Sequence, residues 1–157
     1  MKIAIITVGE LPVPNIKGGG AETLVTQILD ENEKVGKIEF VVYSIENEEA
    51  ESRARSYKKT KFIFLPERKN SIVQRAKRKY IKITTGFHIP LERFSYDKII
   101  DNIKKENVDY VLIENTMVPF YEYVKVFGKK VLIHTHWDYI NNQIPEKILK
   151  KYRHAAV

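Results

Sequence analysis

The chain has no cysteine, which excludes disulfides, thiolate zinc sites and a cysteine nucleophile. Glycine and proline are scarce as well, with seven and six residues in 157, so collagen-like and low-complexity classes are excluded. The first apolar run has only six residues before Gly9, too few for a signal peptide or a membrane span. We therefore expect one folded, cytoplasmic domain whose chemistry relies on histidine and carboxylate side chains.

Acidic side chains are nearly missing from residues 53–82. This stretch holds twelve basic residues and one acid, Glu67, a local charge of +11 in a chain whose net charge is +7. Within it, residues 68–87 place apolar side chains at helical spacing among lysines and arginines, which predicts an amphipathic cationic helix. Such a helix can dock on an anionic membrane surface. A nucleic-acid partner is not expected, because no reader module or stacking set of aromatic side chains accompanies the charge.

Short apolar runs alternate with amphipathic patterns along the chain. The predicted strands are residues 2–8, 38–44, 61–65, 109–114 and 130–135. The first predicted helix begins near Ala21 and is closed by Gly36. The other predicted helices cover residues 72–83, 91–105, 118–127 and 145–152. Because parallel strands need crossover connections, this order predicts an α/β fold: a doubly wound, Rossmann-like parallel sheet in three α/β/α layers. Ligands of such sheets bind beyond the carboxyl ends of the strands.

The loop after the first predicted strand is rich in glycine. Gly18, Gly19 and Gly20 directly precede the first helix, and Glu22 falls in its first turn. Unpaired amides and the positive end of the helix dipole favour an anion there, while glycine lets a ligand approach the backbone closely. The spacing fits neither a Walker loop nor a dinucleotide fingerprint. The loop therefore predicts an anion site, with a merely flexible loop as the alternative.

The exit of the fifth predicted strand carries His134, His136 and Asp138 in the order H-x-H-x-D. Both histidines point to one face of a strand, so they could share a metal ion as in a metal-dependent hydrolase. The hydrolase pattern requires a further histidine where Tyr139 stands, so no metal is expected. We expect His134 to be a buried strand residue bonded to a neighbouring carbonyl, and His136 to open onto the crevice.

The neighbouring exit, after the fourth predicted strand, carries Glu114 and Asn115. A carboxylate and an amide can hydrogen-bond sugar hydroxyls, and Trp137 can stack on a sugar face or serve only in packing. Asp138 can bind an acceptor hydroxyl or cap the next segment. Glu114, Asn115, Trp137 and Asp138 are therefore candidate acceptor-binding residues.

Three segments together resemble the N-terminal domain of family-four glycosyltransferases of the GT-B fold. They are the strand KIAII with a proline-containing loop ending in GGAE, the segment DYVLIENTMVP, and the segment VLIHTH. The resemblance implies that residues 1–157 are the acceptor-side domain of a retaining enzyme. Such an enzyme moves a sugar from a nucleotide-sugar donor, expected to be a UDP-sugar, to a glycan or lipid-linked acceptor in surface polysaccharide synthesis.

The resemblance also implies roles for single residues. Gly18, Gly19 and Gly20, with Glu22, would lie on the side of the donor diphosphate, and His136 would be the catalytic residue beside the transferred sugar. No metal or other cofactor is implied. The family's C-terminal donor domain is absent from these residues, so this chain alone is expected to be inactive. The chain could also dock peripherally on the inner face of the membrane through residues 68–87.

Two alternatives stay open beside the transferase. One is a metal-dependent hydrolase that uses His134, His136 and Asp138. The other is a non-catalytic phosphate-binding or nucleic-acid-binding α/β module, which the glycine loop and the basic stretch would both serve.

Overall fold

A computed structural model describes residues 1–7, 11–66, 96–114 and 120–136, together with Ile72, Ala76, Lys79, Tyr80 and Ile83. The strands are β1 (Lys2–Ile6), β2 (Glu39–Ile45), β3 (Thr60–Leu65), β4 (Tyr110–Glu114) and β5 (Val131–His134). The helices are α1 (Gly20–Val35), α2 (Glu48–Ala54), α3 (Tyr96–Glu106) and α4 (Phe120–Phe127), and a 3-10 turn, Gly128–Lys130, follows α4.

The five strands form one sheet in the order β3-β2-β1-β4-β5, and every pair in it is parallel. The chain moves outward from β1 to β3 and then returns to the other side of β1 for β4 and β5. The strand order therefore reverses between β1 and β4, the place where doubly wound sheets form their binding crevice. The predicted α/β fold with a doubly wound parallel sheet is confirmed.

Helices cover both faces of the sheet. On one face, Val25 and Leu29 of α1 pack with Ile5 and Val42 in a buried cluster. On the other face, α3 and α4 supply Ile99, Ile100, Ile103 and Tyr123 to a second cluster with Ala4, Ile6, Val41, Tyr43, Val111, Ile113 and Val131. Each fully buried aliphatic side chain contributes about 1.5–3 kcal/mol, so these two clusters hold the three layers together.

The apolar face that α1 buries is narrow. Val25 and Leu29 are buried, whereas Ile28 is exposed. The buried face is completed by polar residues: the Asn32 side chain donates to the Ile38 carbonyl at 2.7 Å and accepts from the Ile38 amide at 3.1 Å. Gly36 ends the helix in a left-handed conformation (φ 66°), as predicted from its position.

Helix α2 is an element that the sequence patterns did not predict. It has seven residues, of which only Ala50 is buried, so it carries no apolar stripe to recognise. Its start is set by Asn47, whose side-chain oxygen accepts a hydrogen bond from the Ala50 amide at 3.1 Å. Three glutamates in the first turn favour the positive end of the helix dipole.

The remaining predicted helices are described only in part. Ile72, Ala76, Lys79, Tyr80 and Ile83 are helical and exposed, in agreement with a helix over 72–83. The rest of that segment and residues 145–152 lie outside the described residues. Among the helices that are described, none has the length and apolarity needed to cross a membrane.

Candidate functional site

Glu114 is the last residue of β4 and lies at the carboxyl edge of the sheet. Its side chain is only 3% exposed. Side chains alternate along a strand, so Glu114 faces the same side as Leu112, which packs in the cluster under α1. A buried carboxylate is costly unless hydrogen-bond donors surround it, and the partners of Glu114 therefore define the site.

Two histidines supply those partners. His134 is the register partner of Glu114 on β5, and its Nδ1 lies 3.1 Å from Glu114 Oε2. His136 follows two residues later, with Nε2 at 3.2 Å from the same oxygen. The two imidazole rings lie 4.4 Å apart between centroids. Both histidines therefore meet one carboxylate, as their predicted position on one side indicates, although β5 ends at His134 and His136 lies beyond the strand.

The expected surroundings of His134 were wrong. Its side chain is 45% exposed, and it pairs with a carboxylate instead of a backbone carbonyl. His134 is exposed because β5 is the last strand of the described sheet and has β4 as its neighbour on one side. The register with β4 then turns His134 towards Glu114.

The contacts with Glu114 depend on the imidazole tautomers. With the Glu114 carboxylate as the acceptor, His134 donates from Nδ1 and His136 donates from Nε2. In a neutral His134 ring, the in-plane lone pair is then on Nε2. The His136 side chain is 24% exposed, so it is the more enclosed of the two histidines.

The glycine loop at the start of α1 has the backbone conformation that glycine allows. Gly18 and Gly19 have φ values of 88° and 102°, which residues with a Cβ rarely adopt. A Cβ at Gly19 would collide with the Glu22 carboxylate and would lie 2.8 Å from the Leu11 side chain. A Cβ at Gly20 would meet open space. The loop therefore has a defined shape in which Glu22 folds back over Gly19.

Asn15 ties this loop to α1, a role that sequence analysis missed. Its side-chain oxygen accepts from the Gly18 amide at 2.9 Å, and its side-chain nitrogen donates to Thr23 Oγ1 at 2.5 Å. Its backbone amide donates to Thr26 Oγ1 at 2.7 Å, and its carbonyl accepts from Arg53 Nη1 at 2.9 Å. The signal available in the sequence was an asparagine three residues before a glycine, which is typical of a turn closed by the side chain.

The start of α1 combines two opposite electrostatic features. Its first amides have no carbonyl one turn earlier to bond and so attract an anion. The Glu22 carboxylate, which lies over Gly19, repels one. An anion can approach Gly20 from the open side, whereas the place above Gly19 already holds a negative group.

The predicted site residues fall into three groups. Glu114 and His136 meet at the edge beyond β4 and β5, and His134 joins them. Gly18, Gly19, Gly20 and Glu22 lie at the same carboxyl edge, between β1 and α1. Asn115, Trp137 and Asp138 lie outside the described residues, so their predicted contacts with an acceptor stay predictions.

Glu114, His134 and His136 could also hold a metal ion. Each offers one ligand atom, and the three atoms lie within 4.8 Å of one another. The carboxylate of this set comes from β4, so the arrangement differs from the predicted alternative of His134, His136 and Asp138.

No protein-family model matches the chain, and no curated protein matches it significantly.

Proposed function

We propose that this chain is the acceptor-side domain of a retaining glycosyltransferase. The enzyme would move a sugar from a nucleotide-sugar donor, a UDP-sugar, to a glycan or lipid-linked acceptor. The observation that supports this proposal is the meeting of two features at one edge of the sheet. The glycine-rich start of α1 follows β1, and the Glu114–His134–His136 cluster follows β4 and β5, on the two sides of the point where the strand order reverses.

His136 is the residue to which we assign the acceptor hydroxyl. Its ring lies at the carboxyl edge of the sheet, with Nε2 3.2 Å from Glu114 Oε2, and an imidazole can hydrogen-bond a sugar hydroxyl. A hydroxyl held there would be oriented for attack on the donor sugar, and the leaving phosphate would take up the proton in a retaining reaction.

Glu114 acts in this proposal through His136. Its carboxylate is 3% exposed, and one oxygen, Oε2, is shared by both histidines. Little of that carboxylate can reach a sugar, so we assign Glu114 as a positioning residue that fixes the tautomer and orientation of His136. The direct acceptor contact predicted for Glu114 stays a prediction.

The glycine loop would approach the donor. The open space beside Gly20 and the unpaired amides at the start of α1 suit a diphosphate oxygen. Glu22 has the same charge sign as a diphosphate, so we propose that it hydrogen-bonds a hydroxyl of the nucleotide-sugar on the same side. Metal would then be unnecessary for holding the diphosphate.

The basic stretch would dock the domain on an anionic membrane. Ile72, Tyr80 and Ile83 are exposed at spacings of eight and three residues, which puts them on one side of a helix within residues 68–87. The surrounding lysines and arginines favour anionic lipid, which would bring the site to a lipid-linked acceptor.

Screening the protein against an array of oligosaccharides tests the proposal. We expect saturable binding to a small set of related glycans, since the acceptor site lies within this domain. Hydrolysis is not expected. Absence of binding to every glycan on the array would overturn the proposal.

A metal-dependent hydrolase is the second candidate, and the donor set Glu114, His134 and His136 favours it. Two imidazoles and one carboxylate with an open fourth position are typical of catalytic zinc, which activates a bound water. Zinc-dependent cleavage of p-nitrophenyl phosphate or acetate that disappears in His134→Ala would favour this function. Cleavage rates equal to those of free zinc in buffer would exclude the hydrolase function.

A further inference from the structure

We propose that Glu114, His134 and His136 form a binding site for one divalent transition-metal ion, with zinc preferred. The proposal concerns binding alone. It stands whether or not the chain takes part in sugar transfer, because it depends only on the geometry of the three side chains.

The ligand types select the class of metal. Two imidazole nitrogens and one carboxylate oxygen suit zinc and its neighbours in the first transition row. Calcium and magnesium take oxygen ligands and would leave the two nitrogens unused. Thiolate-seeking ions have no ligand, since the chain has no cysteine.

The distances need little change for coordination. Ligand atoms about 2.0–2.2 Å from a tetrahedral zinc ion lie about 3.3 Å from one another. Glu114 Oε2 lies 3.1 Å from His134 Nδ1 and 3.2 Å from His136 Nε2. One ligand atom from each of the three residues lies within 4.8 Å of the other two, so only a modest approach is needed. Small side-chain rotations would achieve this.

The backbone holds the ligands in place before an ion arrives. Glu114 and His134 face each other in register on paired strands, so their separation is set by the sheet. His136 lies two residues further on the same chain segment. An ion would therefore bind without having to order the backbone around it, which lowers the entropic cost of binding.

Charge and access also fit a cation. The Glu114 carboxylate is 3% exposed, and a buried negative charge is stabilised by a positive ion. His134 is 45% exposed, which leaves a route from solvent to the three ligand atoms. Three protein ligands leave a fourth position for water or a small ligand.

Binding requires a proton shift within each ring and no redox step. The ion would bond Nδ1 of His134 and Nε2 of His136, the nitrogens that now donate to Glu114. Each ring would carry its proton on the opposite nitrogen instead, so no net charge is transferred. Zinc bound to Nε2 of His136 would compete with an acceptor hydroxyl for that ring.

Isothermal titration of chelator-washed protein with zinc chloride, and separately with magnesium chloride, tests the proposal. We expect one zinc ion per chain and no measurable magnesium binding. Glu114→Gln and His134→Ala should each weaken zinc binding at least tenfold. The matched controls are Glu122→Gln, an exposed carboxylate on α4, and His88→Ala, a histidine far from the cluster in sequence; both should bind zinc like the wild type.

Circular dichroism and thermal unfolding without metal check that the variants fold. If Glu114→Gln unfolds, His134→Ala decides the test, because its side chain is exposed and its loss opens no core cavity. Absence of saturable zinc binding would overturn the proposal, and so would wild-type affinity in His134→Ala or an equal loss in His88→Ala. Zinc binding without glycan binding would overturn sugar transfer alone, and glycan binding without zinc binding would overturn the metal site alone.

Discussion

At the scale of single residues, the site is organised by one buried carboxylate. One oxygen of Glu114, Oε2, lies within hydrogen-bond distance of both His134 Nδ1 and His136 Nε2. Removal of one partner leaves the others with an unpaired polar group, which costs about 1–3 kcal/mol in a buried place. The histidines and Glu114 are therefore best regarded as a unit.

The glycine loop allows a prediction from paired substitutions. Gly19→Ala should lower the free energy of unfolding by about 1–3 kcal/mol, because φ 102° strains an alanine and its Cβ would collide with Glu22. Gly20→Ala is the control. Gly20 is the first residue of α1, and a Cβ at this position meets open space. We therefore expect the free energy of unfolding to rise by about 0.4–1 kcal/mol or to stay the same. Urea unfolding measures both, and equal effects at the two positions would contradict the loop conformation.

At the scale of elements, ion pairs join parts of the chain that are far apart in sequence. Glu106 at the end of α3 pairs with Lys2 at the start of β1 at 2.8 Å and with Lys61 of β3 at 2.5 Å. Its side chain is 13% exposed. These bonds tie α3 to two strands of the sheet. The hydrogen bonds from Lys2 and Lys61 hold the pKa of Glu106 below its usual value.

A dependence of stability on pH follows from that lowered pKa. A carboxyl group with a lower pKa in the folded state stabilises the protein above its unfolded pKa, about 4.3. The contribution is lost as the pH falls through the folded value. Glu106→Gln should therefore lower stability by about 1 kcal/mol at pH 7, and the difference from wild type should shrink as the pH falls below about 4.3.

Thermal unfolding across pH 2.5–7 would measure this difference. Glu31→Gln is the matched control, because Glu31 pairs with Lys34 in an exposed position on one helix. We expect a small effect there. A Glu106→Gln difference that is constant with pH would contradict the role of the ion pairs.

The sequence predicted the elements better than it predicted the site. The five strands follow from short apolar runs, whereas α2 was missed because a seven-residue helix with one buried side chain has no periodic pattern. The sequence placed His134 and His136 on one face. It did not place Glu114 between them, because that contact depends on the register of β4 against β5, which local patterns do not contain.

At the scale of the whole molecule, one edge of the sheet gathers the candidate chemistry. The start of α1 and the Glu114 cluster lie there, on the two sides of the reversal in strand order. Ile72, Tyr80 and Ile83 are exposed and add an apolar surface of a different kind, in a part of the sequence that is rich in basic residues. In the proposed function, the edge of the sheet holds the reactants, and the exposed apolar residues bring the domain to a lipid surface.

Membrane docking predicts binding to vesicles that contain phosphatidylglycerol. Co-sedimentation should be strong at low salt and weak at high salt, because exposed charges are screened. Ile72→Asp should reduce binding through loss of apolar contact and added negative charge. Ile28→Asp, on the exposed side of α1, is the control and should have little effect. Lack of binding to anionic vesicles at low salt would exclude the docking proposal.

In the proposed function, His136 receives an acceptor sugar at the edge of the sheet. Saturation-transfer NMR with a glycan identified on the array measures this most directly, in wild type, His136→Ala and the control His88→Ala. We predict that His136→Ala weakens glycan binding at least tenfold, while His88→Ala retains wild-type binding and both variants keep the wild-type circular dichroism spectrum. Unchanged glycan binding in His136→Ala would contradict the proposed role of His136 in binding the acceptor.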